Sequence, residues 1–375
     1  MAPSGVHPVF PRASPRVGMY ESFYLRAVAP DEPLGVWIRY TVHKRSTPPG
    51  RAPAPPPRGS LWFTLFDAHR EGPFMHKLTT DELSVPPDGW IAVGDSQLGP
   101  ARAEGACGEA RWSLDISGAE PELRHLPSSL LYRTPLPRTK LTSPLPAARF
   151  DGVLEVPDSA SPIPSQKADT ASREPSQQAD PAPREPSPSG GPTDHAPSPS
   201  RTIELRGWRG MVGHNWGSEH AERWVWLHGI DFHEDPQAWI DVAVGRVRVA
   251  GRTTPWVANG ALHLDGERHP LGGLGTRGLL VAESPQRCTL VLPGPRGLLV
   301  EAHAQSAPQA IAGWRYADPD GAGHDVCNCS IAALTLTVRR PGLPARTLRT
   351  SHGAAYELGM REHDHGIPIA PFPDG

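Results

Sequence analysis

Gly210-Met211-Val212-Gly213-His214-Asn215-Trp216-Gly217, closely followed by Trp224-Val225-Trp226-Leu227-His228, holds three tryptophans and two histidines among its thirteen residues, in a chain that is only 7% aromatic. The large side chains fall on alternate positions, the period of a β-strand, whose successive side chains point to opposite faces. If residues 208–216 are extended, Trp208, Val212, His214 and Trp216 share a face. In residues 224–233 one face carries Trp224, Trp226, His228, Ile230 and Phe232, while the other begins with Val225 and Leu227. In residues 239–245, Trp239, Asp241 and Ala243 oppose Ile240, Val242 and Val244.

Outward from this stretch the same pattern recurs. Residues 35–43, 60–66, 89–94, 110–116, 278–282, 288–292, 297–302 and 332–338 are short runs rich in β-branched and aromatic residues, bounded by Gly, Pro and Asp-Gly. No long window shows a helical apolar period. Many short strands at close spacing predict an all-β protein of barrels or sandwiches.

A break in composition runs over residues 157–200, dominated by Pro, Ser, Ala and charge, with an approximate repeat between 168–176 and 179–187. Ordering such a segment costs roughly 1–2 kcal/mol per residue in backbone entropy, with little apolar surface to offset it. It reads as a disordered insertion, and residues 1–18 read as a disordered tail. The flanks 150–156 and 202–208 both read as strands. A hairpin with an inflated turn accounts for them, because closure entropy grows slowly with loop length.

Composition excludes several classes. The net charge of -3 offers no basic field for nucleic acid or an anionic membrane. The apolar runs are strand-sized, short of the ~20 residues of a transmembrane helix. The start carries neither a basic region nor an apolar core of a secretory signal. Four cysteines, Cys107, Cys288, Cys327 and Cys329, make no disulfide framework in 375 residues, so a cytoplasmic protein is expected. His214, His220, His228 and His233 lack the short spacings of common zinc motifs, and no metal is expected.

The mixed faces admit two readings. Paired tryptophans with His and Asp suit a largely apolar pocket with a few placed polar groups. They also suit a packed barrel interior in which Asp241 and the histidines bond one another or the backbone.

Gly213-His214-Asn215-Trp216-Gly217, the Trp224-Val225-Trp226 strand and Trp239-Ile240-Asp241 resemble the lipocalin-like superfamily of carotenoid 1,2-hydratase (hydroxyneurosporene synthase). That superfamily also holds the AttH-like proteins, tocopherol cyclase and fungal cyclases of the Diels–Alder type. The resemblance covers mainly residues 201–245, with looser likeness around Trp37, Trp62 and Phe66. It departs at Gly213, where the hydratases carry Asp, and at Trp239, where they favour Tyr.

The resemblance implies tandem lipocalin-like barrels, drawn here as 19–245 and 246–375. It implies a hydrophobic small-molecule partner and chemistry without cofactor, in which an alkene is protonated and then hydrated or cyclised. His214 and Asp241 take the catalytic positions. Trp216, Trp224, Trp226, His228 and Trp239 would bind the substrate. Apolar walls would keep Asp241 protonated near neutral pH, and the indole faces would stabilise a carbocation. The alternative is a non-catalytic carrier, which needs the walls but not the His214–Asp241 pair.

Overall fold

The computed structural model describes residues 6–14, 16–48, 50–52, 54–158, 200–249, 251–362 and 365–372. Strands β1 (Met19–Val28), β2 (Leu34–Lys44), β3 (Arg58–Asp67), β4 (Phe74–Thr80), β5 (Leu83–Ser84), β6 (Ile91–Val93), β7 (Ser96–Leu98), β8 (Arg102–Cys107), β9 (Ala110–Ser117), β10 (Leu123–Arg124), β11 (Thr139–Pro157) and β12 (Ser200–Gly217) form one antiparallel sheet. Its order is β4-β3-β2-β1-β12-β11-β9-β8-β7-β6-β5, with β10 on β11, and it curls into a nearly closed barrel.

The remaining strands are β13 (Arg223–Gly229), β14 (Trp239–Arg246), β15 (Arg248–Val249), β16 (Arg252–Thr253), β17 (Val257–Leu264), β18 (Glu267–Gly272), β19 (Leu280–Ser284), β20 (Arg287–Pro293), β21 (Leu299–Gln305), β22 (Ala312–Ala317), β23 (Gly323–Arg339) and β24 (Arg346–Met360). All but the small β15–β16 ribbon join a second sheet, ordered β18-β17-β14-β13-β24-β23-β21-β20-β19, with β22 on β23. The helical turns described are short 3₁₀ segments, so the all-β expectation from alternation holds.

The expected division after residue 245 and the division between the sheets fall at different places. The first sheet ends at Gly217 and the second begins at Arg223, so the Trp224–Trp226 strand and Asp241 pair within the second sheet. Alternation sorts side chains on a strand, but it carries no information about which sheet that strand joins.

The inflated hairpin is as expected: Leu154 faces Ile203, Val156 faces Arg201 and Pro157 faces Ser200. Most of the insertion, residues 159–199, lies outside the described residues. The N-terminal tail departs from expectation. Val6 and Phe10 are buried, and the backbone N–H groups of Val9 and Phe10 donate to the Glu21 carboxylate at 2.8 and 2.7 Å. A buried carboxylate needs such donors, and the tail supplies them.

Inside the first barrel lie Phe23, Leu25, Tyr40, Phe63, Trp112 and Phe150; inside the second lie Val225, Leu227, Ile240, Val242, Leu290 and Leu336. Each such side chain contributes about 1.5–3 kcal/mol on burial. Strand β1 is buried at every position, because its outer face is covered too. Val28, Trp37, Trp62 and Phe66 point out of the first barrel and join the core of the second sheet. Among the described residues no strand pairs across this seam, so side chains hold the two sheets together.

Candidate functional site: a polar seam between the sheets

Prolines shape the first-sheet side of the seam. In Thr142-Ser143-Pro144-Leu145-Pro146 the two prolines have no N–H to give the ladder, and the β11–β12 register shifts on both sides of Leu145. Ser143 and the Pro146 carbonyl turn to the second sheet. The Ser143 hydroxyl lies 2.5 Å from Asp241 Oδ2, and the Pro146 oxygen 2.9 Å from His228 Nε2. The second sheet reciprocates with a register shift in β23 after Cys329. The Ser330 and Gly353 carbonyls accept from Arg26 of β1 at 2.9 and 3.1 Å.

Proton positions follow from the partners. The Arg26 guanidinium only donates and the Pro146 carbonyl only accepts, so His228 is neutral, with its proton on Nε2 and Nδ1 accepting from Arg26 at 2.9 Å. Burial, aided by the Arg26 charge, pushes its pKa down to about 4.

Asp241 is fully buried and pairs with His228 across β13 and β14. Its Oδ1 accepts from Trp226 Nε1 at 3.0 Å, and His125 Nε2 stands 3.5 Å from Oδ2. Burial raises its pKa, but the charge and hydrogen bonding of His125, with His228 and Ser143, outweigh that and draw it down to about 2. The expectation of an acid kept protonated by apolar walls is therefore not met, because the walls are studded with donors. His125 Nδ1 donates to the Asn259 carbonyl, 3.2 Å away, while Nε2 is 3.2 Å from the Ser143 hydroxyl. Asp241, Ser143 and His125 thus form a chain with two proton arrangements of equal net charge. One is carboxylate with imidazolium; in the other both protons shift toward the carboxylate, leaving a carboxylic acid and a neutral imidazole.

The seven residues expected to line one site are divided. Trp226, His228 and Asp241 meet on the seam, where Tyr24 of the first sheet stands edge-on to Trp226 at 5.4 Å. His214 does not meet Asp241. It lies inside the first barrel, its Nε2 2.7 Å from Glu21 Oε1, sandwiched between Phe23 at 3.9 Å and Trp216 at 4.4 Å. Trp216 is half-buried and tilts against Tyr132. Trp224 donates to Glu357 at 2.9 Å further along the seam. Trp239 stacks on His263 at 5.6 Å under the Arg268 guanidinium. Gly213, the departure noted in the sequence, has a steric cause: a Cβ there would lie 2.2 Å from the Tyr24 ring.

At the other end of the seam is a cavity of about 40 Å³, lined among others by Tyr20, Arg39, Trp62, His220 and Tyr316 and by none of those seven residues. A water needs roughly 10–15 Å³ on this measure, so the cavity has room for a few waters. Arg39 is 5% exposed, and its guanidinium sits 4.0 Å over the Tyr316 ring. Tyr316 donates to Glu357 at 3.1 Å. Behind the cavity wall, His220 Nδ1 lies 2.6 Å from Asp318 Oδ1, with the buried His324 beside them.

Sequence reasoning missed Arg26, Arg39, His125, Ser143, Asp318 and His324. Arg26 and Arg39 did leave a signal. Each is a charge flanked on both sides by apolar residues of its strand, Leu25 and Ala27 or Ile38 and Tyr40, which marks a face covered by something other than water. The paired prolines around Leu145 signalled the bulge. His125, in the loop after β10, left none.

No protein-family model matches the chain, and no curated protein matches it in sequence. Among solved structures, CghA with Sch210972 aligns with a TM-score of 0.55 at 13% identity, covering 92% of this chain and 90% of that one. A putative AttH from Nitrosomonas europaea aligns at 0.45 and 13% identity over 96% and 98% of the two chains. Kievitone hydratase from Nectria haematococca aligns at 0.49 and 8% over 96% and 92%. At such identities the likeness is one of fold. The chain has the fold of CghA, an all-β arrangement of a nearly closed barrel and a second antiparallel sheet.

Proposed function

We propose that the seam between the two sheets binds a hydrophobic small molecule and that Asp241 is its proton-transfer group, in a hydratase or cyclase acting on an alkene of a terpenoid, carotenoid or polyketide. The observation that carries this reading is the buried Asp241–Ser143–His125 chain. Its second arrangement places a carboxylic acid at the Nε1 edge of the Trp226 indole at no change in net charge. Transfer of that proton to an alkene carbon leaves a carbocation, which the Tyr24 and Trp226 rings stabilise through their π-faces. Water then adds, or the chain closes on the cation, and the proton lost in that step returns to Asp241.

Admission of such a molecule requires the sheets to part. The burial of Val28, Trp37, Trp62 and Phe66 against the second sheet and a few side-chain hydrogen bonds resist this, not a backbone ladder. His214 and Glu21 hold the first barrel's interior and take no part in the chemistry.

One observation favours the carrier reading: a carboxylate drawn down to about 2 orients a ligand without protonating it. Native mass spectrometry of protein purified from its own host identifies the bound molecule, and that molecule is then the substrate for assay. The enzyme reading expects turnover that falls by about 10²–10⁴-fold in Asp241→Asn while binding persists. Wild-type protein that binds the molecule and returns it unchanged establishes the carrier instead.

A further inference from the structure

Beyond the Asp241 chemistry, and independent of it, lies a second cluster. The connector from β12 to β13 carries His220, and the turn between β22 and β23 is flanked by Asp318 and His324. Asp318 Oδ1 accepts from both the backbone N–H of His220, at 2.9 Å, and its ring Nδ1, at 2.6 Å. Oδ2 has no hydrogen-bond partner. His324 is 0% exposed, and neither of its ring nitrogens is bonded. Its Nδ1 stands 3.7 Å from Asp318 Oδ2, too far for a hydrogen bond. One ligand atom from each of the three residues lies within 4.8 Å of the others.

Buried polar atoms are ordinarily satisfied, and a fully buried imidazole with two idle nitrogens is an exception that calls for a cause. Water would need room and several polar partners. A cation satisfies the imidazole lone pair and the idle carboxylate oxygen together. Two imidazoles and one carboxylate are the donor set of zinc and of other late divalent transition metals, and not of magnesium or calcium, which take oxygen.

The competing cation is Arg361, whose NH2 group is 3.6 Å from Asp318 Oδ2. That guanidinium also faces Glu219 at 3.4 Å and Glu222 at 3.7 Å, so its charge has other counterparts. Tyr20 of β1 stacks on His220 at 3.9 Å and holds the ring in place.

We propose that His220, Asp318 and His324 bind one divalent transition-metal ion, with zinc as the ion to test. The ion would tie the connector between the sheets to the β22–β23 turn. With three protein ligands it keeps a position for water or for an oxygen of a molecule in the neighbouring cavity, which His220 also lines.

Full-length protein stripped with a chelator and titrated with Zn²⁺ by calorimetry should take up one ion per chain, with Mg²⁺ giving no comparable heat. Co²⁺ should produce visible ligand-field absorption. Zinc should raise the thermal midpoint of the wild type. Affinity should fall at least tenfold in Asp318→Asn and His324→Gln, and likewise in His220→Ala, whose partly exposed position makes it the variant safest for folding. Wild-type protein without stoichiometric zinc uptake, or zinc affinity unchanged in His220→Ala, overturns the site.

Discussion

Two buried imidazole–carboxylate pairs lie on opposite faces of the same sheet. His214–Glu21 sits inside the first barrel, and every partner of the Glu21 carboxylate comes from that half of the chain: Val9, Phe10 and His214. His125–Asp241 sits outside it, and Asp241 takes its hydrogen bonds from both sheets, from Ser143 on one side and Trp226 on the other. A pair saturated within one barrel contributes to that barrel's stability. A pair shared across a seam responds whenever the sheets shift, so ligand binding can be coupled to its protons. Composition alone does not separate the two pairs. Their difference lies in whose partners they use.

Asp241→Ala should show the largest effect on this contrast. It leaves Trp226 Nε1 and Ser143 without their acceptor and His125 without its charge partner. Loss of one partner of a buried pair costs about 3–5 kcal/mol, readable in urea unfolding, whereas Asp241→Asn keeps an acceptor for Trp226 and should cost less. Equal losses in the two variants would deny the carboxylate its role in joining the sheets.

Acidification should come next. The folded His228 titrates near 4, below its ordinary value of about 6.5. The unfolded chain therefore binds the extra proton between those pH values. Stability from this residue is fully present above about pH 6.5 and is lost as pH falls toward 4, a difference of about 3 kcal/mol at most. His228→Gln can keep both hydrogen bonds without titrating, so its stability should fall less steeply over that window. Identical slopes would place His228 outside the acid response.

Glu21→Gln should destabilise by about 1–3 kcal/mol, the cost of imperfectly paired buried donors, and leave ligand capture unchanged. A fall in ligand binding would break the assignment of the two pairs to different tasks. Replacement of residues 159–199 by a short turn should have the smallest effect. The hairpin already closes at Pro157 and Ser200, and a shorter loop adds at most about 2 kcal/mol of stability. Unfolding midpoints within a few degrees of wild type would fit this.

The fold was legible because strand alternation survives in local sequence, and the β11–β12 hairpin could be drawn across its insertion from its flanks alone. Half of the site was legible too: Trp226, His228 and Asp241 alternate on adjacent strands of one sheet and do meet. His214 misled because alternation fixes a side chain's face and not its barrel. The same limit hid His125 and Ser143, which reach Asp241 from the other sheet through a loop and a bulge. Contacts made across a seam have no spacing along the chain.

Gly213 and Tyr24 carry a consequence for how this protein can change. A Cβ at position 213 would lie 2.2 Å from the Tyr24 ring, so the Asp that the hydratases carry there requires that ring to move. Reduction of Tyr24 would open a hole beside Trp226 into which position 213 could grow. The two sites are therefore coupled. A variant reduced at Tyr24 has new room next to Asp241, which makes Tyr24→Ala a natural starting point for evolving ligand range in this scaffold.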